Sequence, residues 1–170
     1  MIYDYSYLDV LITESDVATL HYIEASDSVS NVIIKKFLKS QSNKRSGFSN
    51  QLKNSLERLG YNYSFPKELM NPLGFLQELK SFFIKKDADY YLNQCIAQDK
   101  KIIELAERMV DKAVLPSDLI KLIASTRSQL IDAIGQAVML KNTINSDSEN
   151  PNILFESTYN YIKPFKASSL

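Results

Sequence analysis

The chain has 170 residues, of which 45% are hydrophobic and 24% are charged, and this is an ordinary globular composition. Its 4 glycines and 5 prolines are too few for the many turns of an all-β protein and favour long helices. The 20 basic residues balance the 20 acidic residues, so no net positive field attracts nucleic acid.

Two helical patterns occupy the first third of the chain. Apolar residues recur at helical spacing from Tyr7 to Asp27 and predict the first helix. Ser28 and Ser30 offer N-cap oxygens for a second helix, which ends at Gly60, a residue suited to a helix C-terminus. The apolar stripe of the first helix is Leu8, Leu11, Ala18, Tyr22 and Ala25. That of the second is Ile34, Leu38, Phe48, Leu52, Leu56 and Leu59.

A break in the pattern separates these helices from two further ones. Residues 60–72 predict a loop, and a short helix follows over residues 73–84. Asp87 is expected to cap a third long helix over residues 88–113, and Pro116 to begin a fourth that ends near Ile144. The third stripe is Leu92, Cys95, Ile96, Ile102, Ile103, Ala106, Met109 and Val110. The fourth is Leu119, Leu122, Ile123, Leu130, Ile134 and Val138.

The lengths of the connections predict the architecture. Short loops join the first helix to the second and the third to the fourth, and short loops make antiparallel neighbours. The long segment 60–86 separates the two pairs. We therefore expect an all-α, ferritin-like four-helix bundle over residues 1–144, with two antiparallel hairpins joined by a long crossover that contains the short helix. Residues 145–170 form a C-terminal tail, whose aromatic residues predict that it docks in part on the bundle or on a partner subunit.

The single cysteine and the absence of targeting signals bear on location. Cys95 cannot form an intrachain disulfide, which fits a reducing compartment. The N-terminal residues lack the basic patch of a signal peptide, and no apolar stretch approaches the about 18 residues that cross a bilayer. We expect a cytoplasmic protein that contacts neither membrane nor nucleic acid. A basic run is interpreted as the solvated face of a helix: Lys35, Lys36, Lys39, Lys44 and Arg45.

Several short motifs follow one another in a recognisable order. They are Leu11-Ile12 and Tyr22/Ala25 in the first helix, Arg45/Phe48 and Leu59-Gly60 in the second, a connector around residues 72–83, and Cys95/Asp99 in the third. With these motifs, residues 6–144 resemble the bacterial ferritin-like four-helix-bundle proteins grouped as domain of unknown function 2383. That resemblance implies the same fold and a loose link to stress responses, without an agreed biochemical activity.

Metal chemistry is the first hypothesis that a ferritin-like bundle invites. A di-iron or di-manganese site draws a Glu from each of two helices and a Glu-x-x-His motif from each of the other two. The only histidine is His21, and no Glu precedes it by three residues, so a standard di-metal site is excluded. The chain also departs from the family at Ile96, where a carboxylate is expected, and near Arg127 and Gly135, where a glutamine or histidine is expected.

A degenerate carboxylate site is the alternative to no metal site at all. It would draw on Glu14, His21, Glu24 and Asp99. The first three are better explained as ordinary exposed or half-exposed charged residues, with His21 and Glu24 as a surface pair of neighbours on one helix. The prediction is therefore a protein with no cofactor, no metal ligands and no catalytic residues.

One acidic and one basic residue fall on apolar stripes. Asp99 lies between Cys95 and Ile102 on the third helix, and Arg45 lies three residues before Phe48 on the second. A buried acid must be paired, so we expect a structural Arg45–Asp99 ion pair, with Tyr22 as a further member. Cys95 is interpreted as an inert core thiol.

The absence of a catalytic constellation, beside many aromatic residues outside the stripes, predicts a non-catalytic module that acts by association. It is expected to form a homodimer, with the tail and the segment 60–86 as contact surfaces. Two alternatives stay open. One is a metal-binding or redox protein with a degenerate carboxylate site, and the other is a carrier of a small ligand in an apolar cavity.

Overall fold

A computed structural model describes residues 5–61, 63, 87–112 and 115–147. These residues form four helices, and no strand occurs within the described ranges. The helices are α1 (Ser6–Ser28), α2 (Val32–Arg58), α3 (Ala88–Lys112) and α4 (Ser117–Asp147). The predicted all-α four-helix bundle is therefore confirmed. The predicted short helix over residues 73–84, and the tail beyond Asp147, lie outside the described residues.

The start of α2 differs from the prediction. The N-cap is Asn31, whose side chain accepts hydrogen bonds from the N–H groups of Ile33 and Ile34 at 2.9 and 3.2 Å. Ser28 instead belongs to the last turn of α1, because the backbone turns into an extended conformation at Val29. An N-cap needs this extended conformation, so the chain can begin a new helix only after the turn.

Two other helix ends agree with the sequence analysis. Gly60 follows the end of α2 with a φ of +76°, a conformation that side chains disfavour and glycine adopts freely. The N–H of Tyr61 then donates to the carbonyl of Leu56 at 3.0 Å, which satisfies a carbonyl at the helix terminus. At the start of α3, the carboxylate of Asp87 accepts from the N–H of Tyr90 at 2.8 Å, as expected of an N-cap.

Both hairpins are antiparallel. In the first, Lys53 pairs with Asp16 at 2.8 Å and the hydroxyl of Ser42 donates to the carbonyl of Thr19 at 3.3 Å, so α2 descends as α1 ascends. In the second hairpin, Arg127 bonds to Glu107 and Lys141 bonds to Asn93, so α4 likewise runs antiparallel to α3.

The hairpins pack so that α2 and α3 lie across the diagonal of the bundle. Helix α1 packs against α2 and α3, and α4 packs against α3 and, more loosely, against α2. One core cluster joins the N-terminal half of α1 to the C-terminal halves of α2 and α3, and the other cluster joins the opposite halves. Helices α2 and α3 therefore run parallel. Arg58 and Ala88 lie at opposite ends of the bundle, roughly 40 Å apart for a helix of this length.

Most residues of the predicted stripes are buried, two are exposed, and four are half-buried, namely Ile103, Val110, Leu122 and Ile134. Leu59 is 45% exposed because it lies at the C-cap of α2, beyond the last helical turn. Val138 is 44% exposed because the buried side of α4 continues through Ala133 and Ala137 instead. The residues of α4 that point into the bundle are Leu119, Ile123, Thr126, Leu130, Ala133 and Ala137. Small alanines at these positions allow close packing, and Val138 therefore turns outward.

The helices of the bundle are not membrane spans. Within the described ranges, no helix has the length and apolar character needed to cross a bilayer.

Candidate functional site

A network of polar side chains occupies the centre of the bundle. The carboxylate of Asp99 on α3 accepts hydrogen bonds from Nε of Arg45 at 2.8 Å and from Nη2 at 2.5 Å. The hydroxyl of Tyr22 on α1 donates to the same carboxylate at 2.7 Å. The structure thus brings together Tyr22, Arg45 and Asp99, which the sequence analysis expected to meet because each lies on the apolar stripe of its helix. Arg45 is buried and is the exception in the basic run that was interpreted as a solvated face.

The arginine is satisfied on its remaining sides. Its Nη1 donates to the side-chain carbonyl of Gln41 at 3.2 Å, and its guanidinium lies 5.2 Å from the centre of the Tyr22 ring. Sequence reasoning missed Gln41. The available signal was its position on the stripe of α2, three residues after Leu38 and four before Arg45.

Burial and charge determine the protonation of the network. Burial raises the pKa of Tyr22 far above its ordinary range, and the charge of Asp99 adds to that effect. Burial, with a further contribution from Asp99, likewise raises the pKa of the Cys95 thiol. For Arg45, burial acts to lower the pKa, but the hydrogen bonds and charge of Asp99 outweigh it and raise the pKa overall. At neutral pH the guanidinium of Arg45 is therefore charged, whereas the phenol of Tyr22 and the nearby thiol of Cys95 are neutral.

This arrangement leaves little capacity for chemistry. Asp99 is 0% exposed, and Tyr22 and Arg45 are each 1% exposed. The carboxylate already accepts three charge-assisted or buried hydrogen bonds, and the arginine is held by both Asp99 and Gln41. A substrate could not contact these groups unless the helices separated. The network holds four side chains from three helices in one register, which is a structural role.

The degenerate metal site does not assemble. Glu14 is held at the edge of α3, where it accepts from Gln98 at 2.8 Å and pairs with Lys101 at 2.7 Å. Glu24 lies ten residues further along α1, about 15 Å away along the helix axis. Burial raises the pKa of Glu24.

Neither of the other two proposed ligands joins Glu14 and Glu24 in one site. His21 is half-buried on α1, and Asp99 is occupied by Arg45. In the part of the chain that the structure describes, no three side chains of the types His, Cys, Asp and Glu are grouped to hold a metal ion.

A shallow groove lies where α2 and α4 pack loosely. Its volume is about 230 Å³, below the roughly 300–1,000 Å³ of typical ligand pockets. It is lined by Lys44, Gly47, Phe48, Gln51, Leu122, Ser125, Thr126 and Gln129. Most of these side chains are polar, so the groove differs from the apolar cavity that a small-ligand carrier would need.

Comparison with known proteins adds no further constraint. No protein-family model, curated protein or solved structure matches this chain.

Proposed function

We propose that this chain is a non-catalytic helical bundle that acts by association, and that it self-associates through the outer side of α4. The observation that carries the proposal is an uncharged, largely apolar surface on that helix. We define this α4 outer face as Ala124, Ser128, Ile131, Gly135, Val138 and Met139, all of which are exposed.

The apolar members of the α4 outer face stand out on a helix surface. Ile131 and Met139 are 45% and 57% exposed, and Val138 lies between them on the same side. The nearest charges lie at its edges: Arg127 turns toward Glu107 on α3, at 2.6 Å, and the exposed residues Lys121 and Asp132 border the face. A surface without charge can pack against a second copy of itself without like-charge repulsion.

Gly135 lies in the middle of this face and supports the same conclusion. A glycine inside a helix costs roughly 1 kcal/mol relative to alanine. Among the described residues, a Cβ added at Gly135 would meet nothing within 4 Å, so their packing does not require a glycine there. A second helix that packs closely over Gly135 would make use of the missing side chain.

The test is the solution mass of the full chain, measured by sedimentation velocity across micromolar concentrations. We expect a dimer for the natural sequence and a monomer for Val138→Lys, because a buried unpaired lysine opposes association. Val32→Lys on α2 is the matched control, since Val32 is also an exposed valine, at 62% against 44% for Val138, and lies away from the face. A natural chain that stays monomeric, or a Val138→Lys variant that stays dimeric, would contradict the proposal.

The alternative of a metal-binding or redox protein draws no support from the described residues, in which Glu14 and Asp99 are engaged by basic or amide partners. Reconstitution with Fe²⁺ and Mn²⁺ followed by elemental analysis separates the two hypotheses. Near-stoichiometric metal would favour the alternative. Membership of the ferritin-like family, a role in bacterial stress responses and a cytoplasmic location stay predictions.

A further inference from the structure

The shallow groove described above lies on the open side of the bundle, and we call it the α2–α4 groove. The other three pairs of neighbouring helices pack closely, whereas α2 and α4 pack loosely. Its apolar lining consists of Phe48, which is 4% exposed, and Leu122, which is half-buried. A Cβ added at Gly47 would meet nothing within 4 Å among the described residues, so the missing side chain leaves space in the groove.

The polar side chains that line the α2–α4 groove are not engaged by the fold. They are Lys44, Gln51, Ser125, Thr126 and Gln129. Within the described ranges, none of the five forms a side-chain hydrogen bond or an ion pair. The contact between α3 and α4 differs, because there the guanidinium of Arg127 donates to Glu107 at 2.6 Å. The groove therefore offers hydrogen-bonding groups to a molecule that enters it.

Thr126 is the buried member of this polar set. Its side chain lines the groove although the residue is only 8% exposed. A hydroxyl that is withdrawn from water without a partner costs free energy, so buried hydroxyls in proteins are normally paired with protein groups, water or a ligand. In the part of the chain that the structure describes, no protein group fills this role for Thr126. An acceptor oxygen in the groove would do so.

The charge of the α2–α4 groove is positive. Lys44 is the one charged residue among its described lining residues. The only acidic residue of α2 is Glu57, more than three turns farther along the helix. The nearest acids along α4, Asp118 and Asp132, each lie one helical turn outside the lining residues of that helix. A single ammonium group beside uncharged hydrogen-bond donors suits a ligand with one negative charge.

We propose that the α2–α4 groove binds a small organic monocarboxylate. Lys44 supplies the counter-charge, Thr126 donates a hydrogen bond, and Phe48 with Leu122 packs against the hydrocarbon part of the ligand. The volume of about 230 Å³ corresponds to roughly seven waters at about 30 Å³ each, which limits the ligand to a short hydrocarbon body. A phosphate ester, with up to two negative charges, would call for more cations than Lys44 alone.

Titration of the isotope-labelled full chain with sodium benzoate, followed by nuclear magnetic resonance, tests this proposal. Benzoate joins one carboxylate to a small apolar body. We expect saturable shifts of the backbone amide signals of Gly47, Gln51 and Ser125, with a Kd of about 1 mM, as for a small ligand in an open site. Benzamide has the same shape without the charge, and inorganic phosphate has charge without the apolar body. Both should bind at least roughly tenfold more weakly.

Two variants separate the charge from the hydroxyl. Lys44→Met should weaken benzoate binding about fivefold, because it removes the counter-charge at an exposed position. Lys39→Met is the matched control, since Lys39 is an exposed lysine of the same helix that does not line the groove. Thr126→Val keeps the shape of the side chain and should also weaken binding about fivefold. It should not lower the free energy of unfolding, because the hydroxyl bonds no described group of the fold.

The proposal would be overturned by the absence of saturable shifts with benzoate, or by equal affinities of the Lys44→Met and Lys39→Met variants. Equal binding of benzamide would contradict the role of the charge, and equal binding of inorganic phosphate would show an adventitious ion only. A loss of stability in Thr126→Val would assign the hydroxyl to the fold instead of to a ligand. The result does not depend on self-association, because the groove shares no residue with the α4 outer face.

Discussion

Arg45 on α2 and Asp99 on α3 meet across the diagonal of the bundle, through hydrogen bonds of 2.8 and 2.5 Å between residues 54 positions apart in the chain. Neither α2 nor α3 could move along its axis without breaking this contact. A buried ion pair contributes little net stability, because desolvation of both charges offsets their attraction. Its effect here is to define the register of two parallel helices whose connection through the chain is long.

Removal of only the acid should be costly. Asp99→Ala would leave the guanidinium of Arg45 buried without its counter-ion, and we expect the free energy of unfolding to fall by about 3–5 kcal/mol. Chemical denaturation at neutral pH measures the change. Glu104→Ala is the control on the same helix, since its side chain is 66% exposed, and its effect should stay within about 0.5 kcal/mol. Equal effects of the two substitutions would contradict the description of the network.

Replacement of the whole network by apolar groups should cost less than loss of the acid. In the quadruple variant Tyr22→Phe, Gln41→Leu, Arg45→Met, Asp99→Leu, no polar side chain of the network is left buried without a partner. We expect it to be more stable than Asp99→Ala, because exchange of buried ion pairs for packed apolar side chains is often neutral or favourable. Chemical denaturation decides this too, and a quadruple variant less stable than Asp99→Ala would contradict the expectation.

Alkaline pH should destabilise the fold through Tyr22 and Cys95. Burial raises the pKa of both groups above their ordinary values of 10.0 and 9.0, so the folded chain retains protons that the unfolded chain releases. Stability is fully present below about pH 9 and then falls, by up to roughly 1.4 kcal/mol per pH unit for each group. Tyr22→Phe and Cys95→Ala should each reduce the slope of unfolding free energy against pH. Tyr7→Phe, at an exposed tyrosine, is the control for loss of a phenol, and slopes equal to that of the natural chain would refute the assignment.

The Cys95 thiol should be unreactive in the folded protein. It is buried, and burial raises its pKa, so both access and the thiolate fraction are low. We expect reaction with a disulfide reagent at neutral pH to be complete only in denaturant. A Cys95→Ala, Val32→Cys variant supplies an exposed thiol for comparison and should react at once. Rapid reaction of the natural chain without denaturant would show that the bundle centre opens readily.

The N-cap of α2 can be tested at two neighbouring positions. Asn31→Ala removes the side chain that accepts from the N–H groups of Ile33 and Ile34, and we expect a loss of about 1 kcal/mol in thermal or chemical unfolding. Ser30→Ala should have almost no effect, because Ser30 is exposed and precedes the cap. A larger loss of stability in Ser30→Ala than in Asn31→Ala would instead support Ser30 as the N-cap, as the sequence suggested.

Local chemistry explains the parts of the fold that the sequence predicted well. The helices, the N-cap at Asp87 and the turn at Gly60 depend on residues a few positions apart. The Arg45–Asp99 contact was also foreseeable, because a charge on an apolar stripe has to find a partner inside the bundle. The capping error at α2 has a local cause as well. Three polar residues in four positions offer similar oxygens, and only the backbone conformation selects Asn31.

The sequence by itself thus determined the four long helical segments and the burial of Arg45 and Asp99, because both follow from spacing along one chain. The tertiary structure alone decided which neighbours surround each helix. It brought Gln41 to Arg45, turned Val138 outward, engaged Glu14 with Gln98 and Lys101, and left an apolar face on α4. Helical periodicity marks an apolar side but carries no information on what packs against it, and that depends on how four helices share one core.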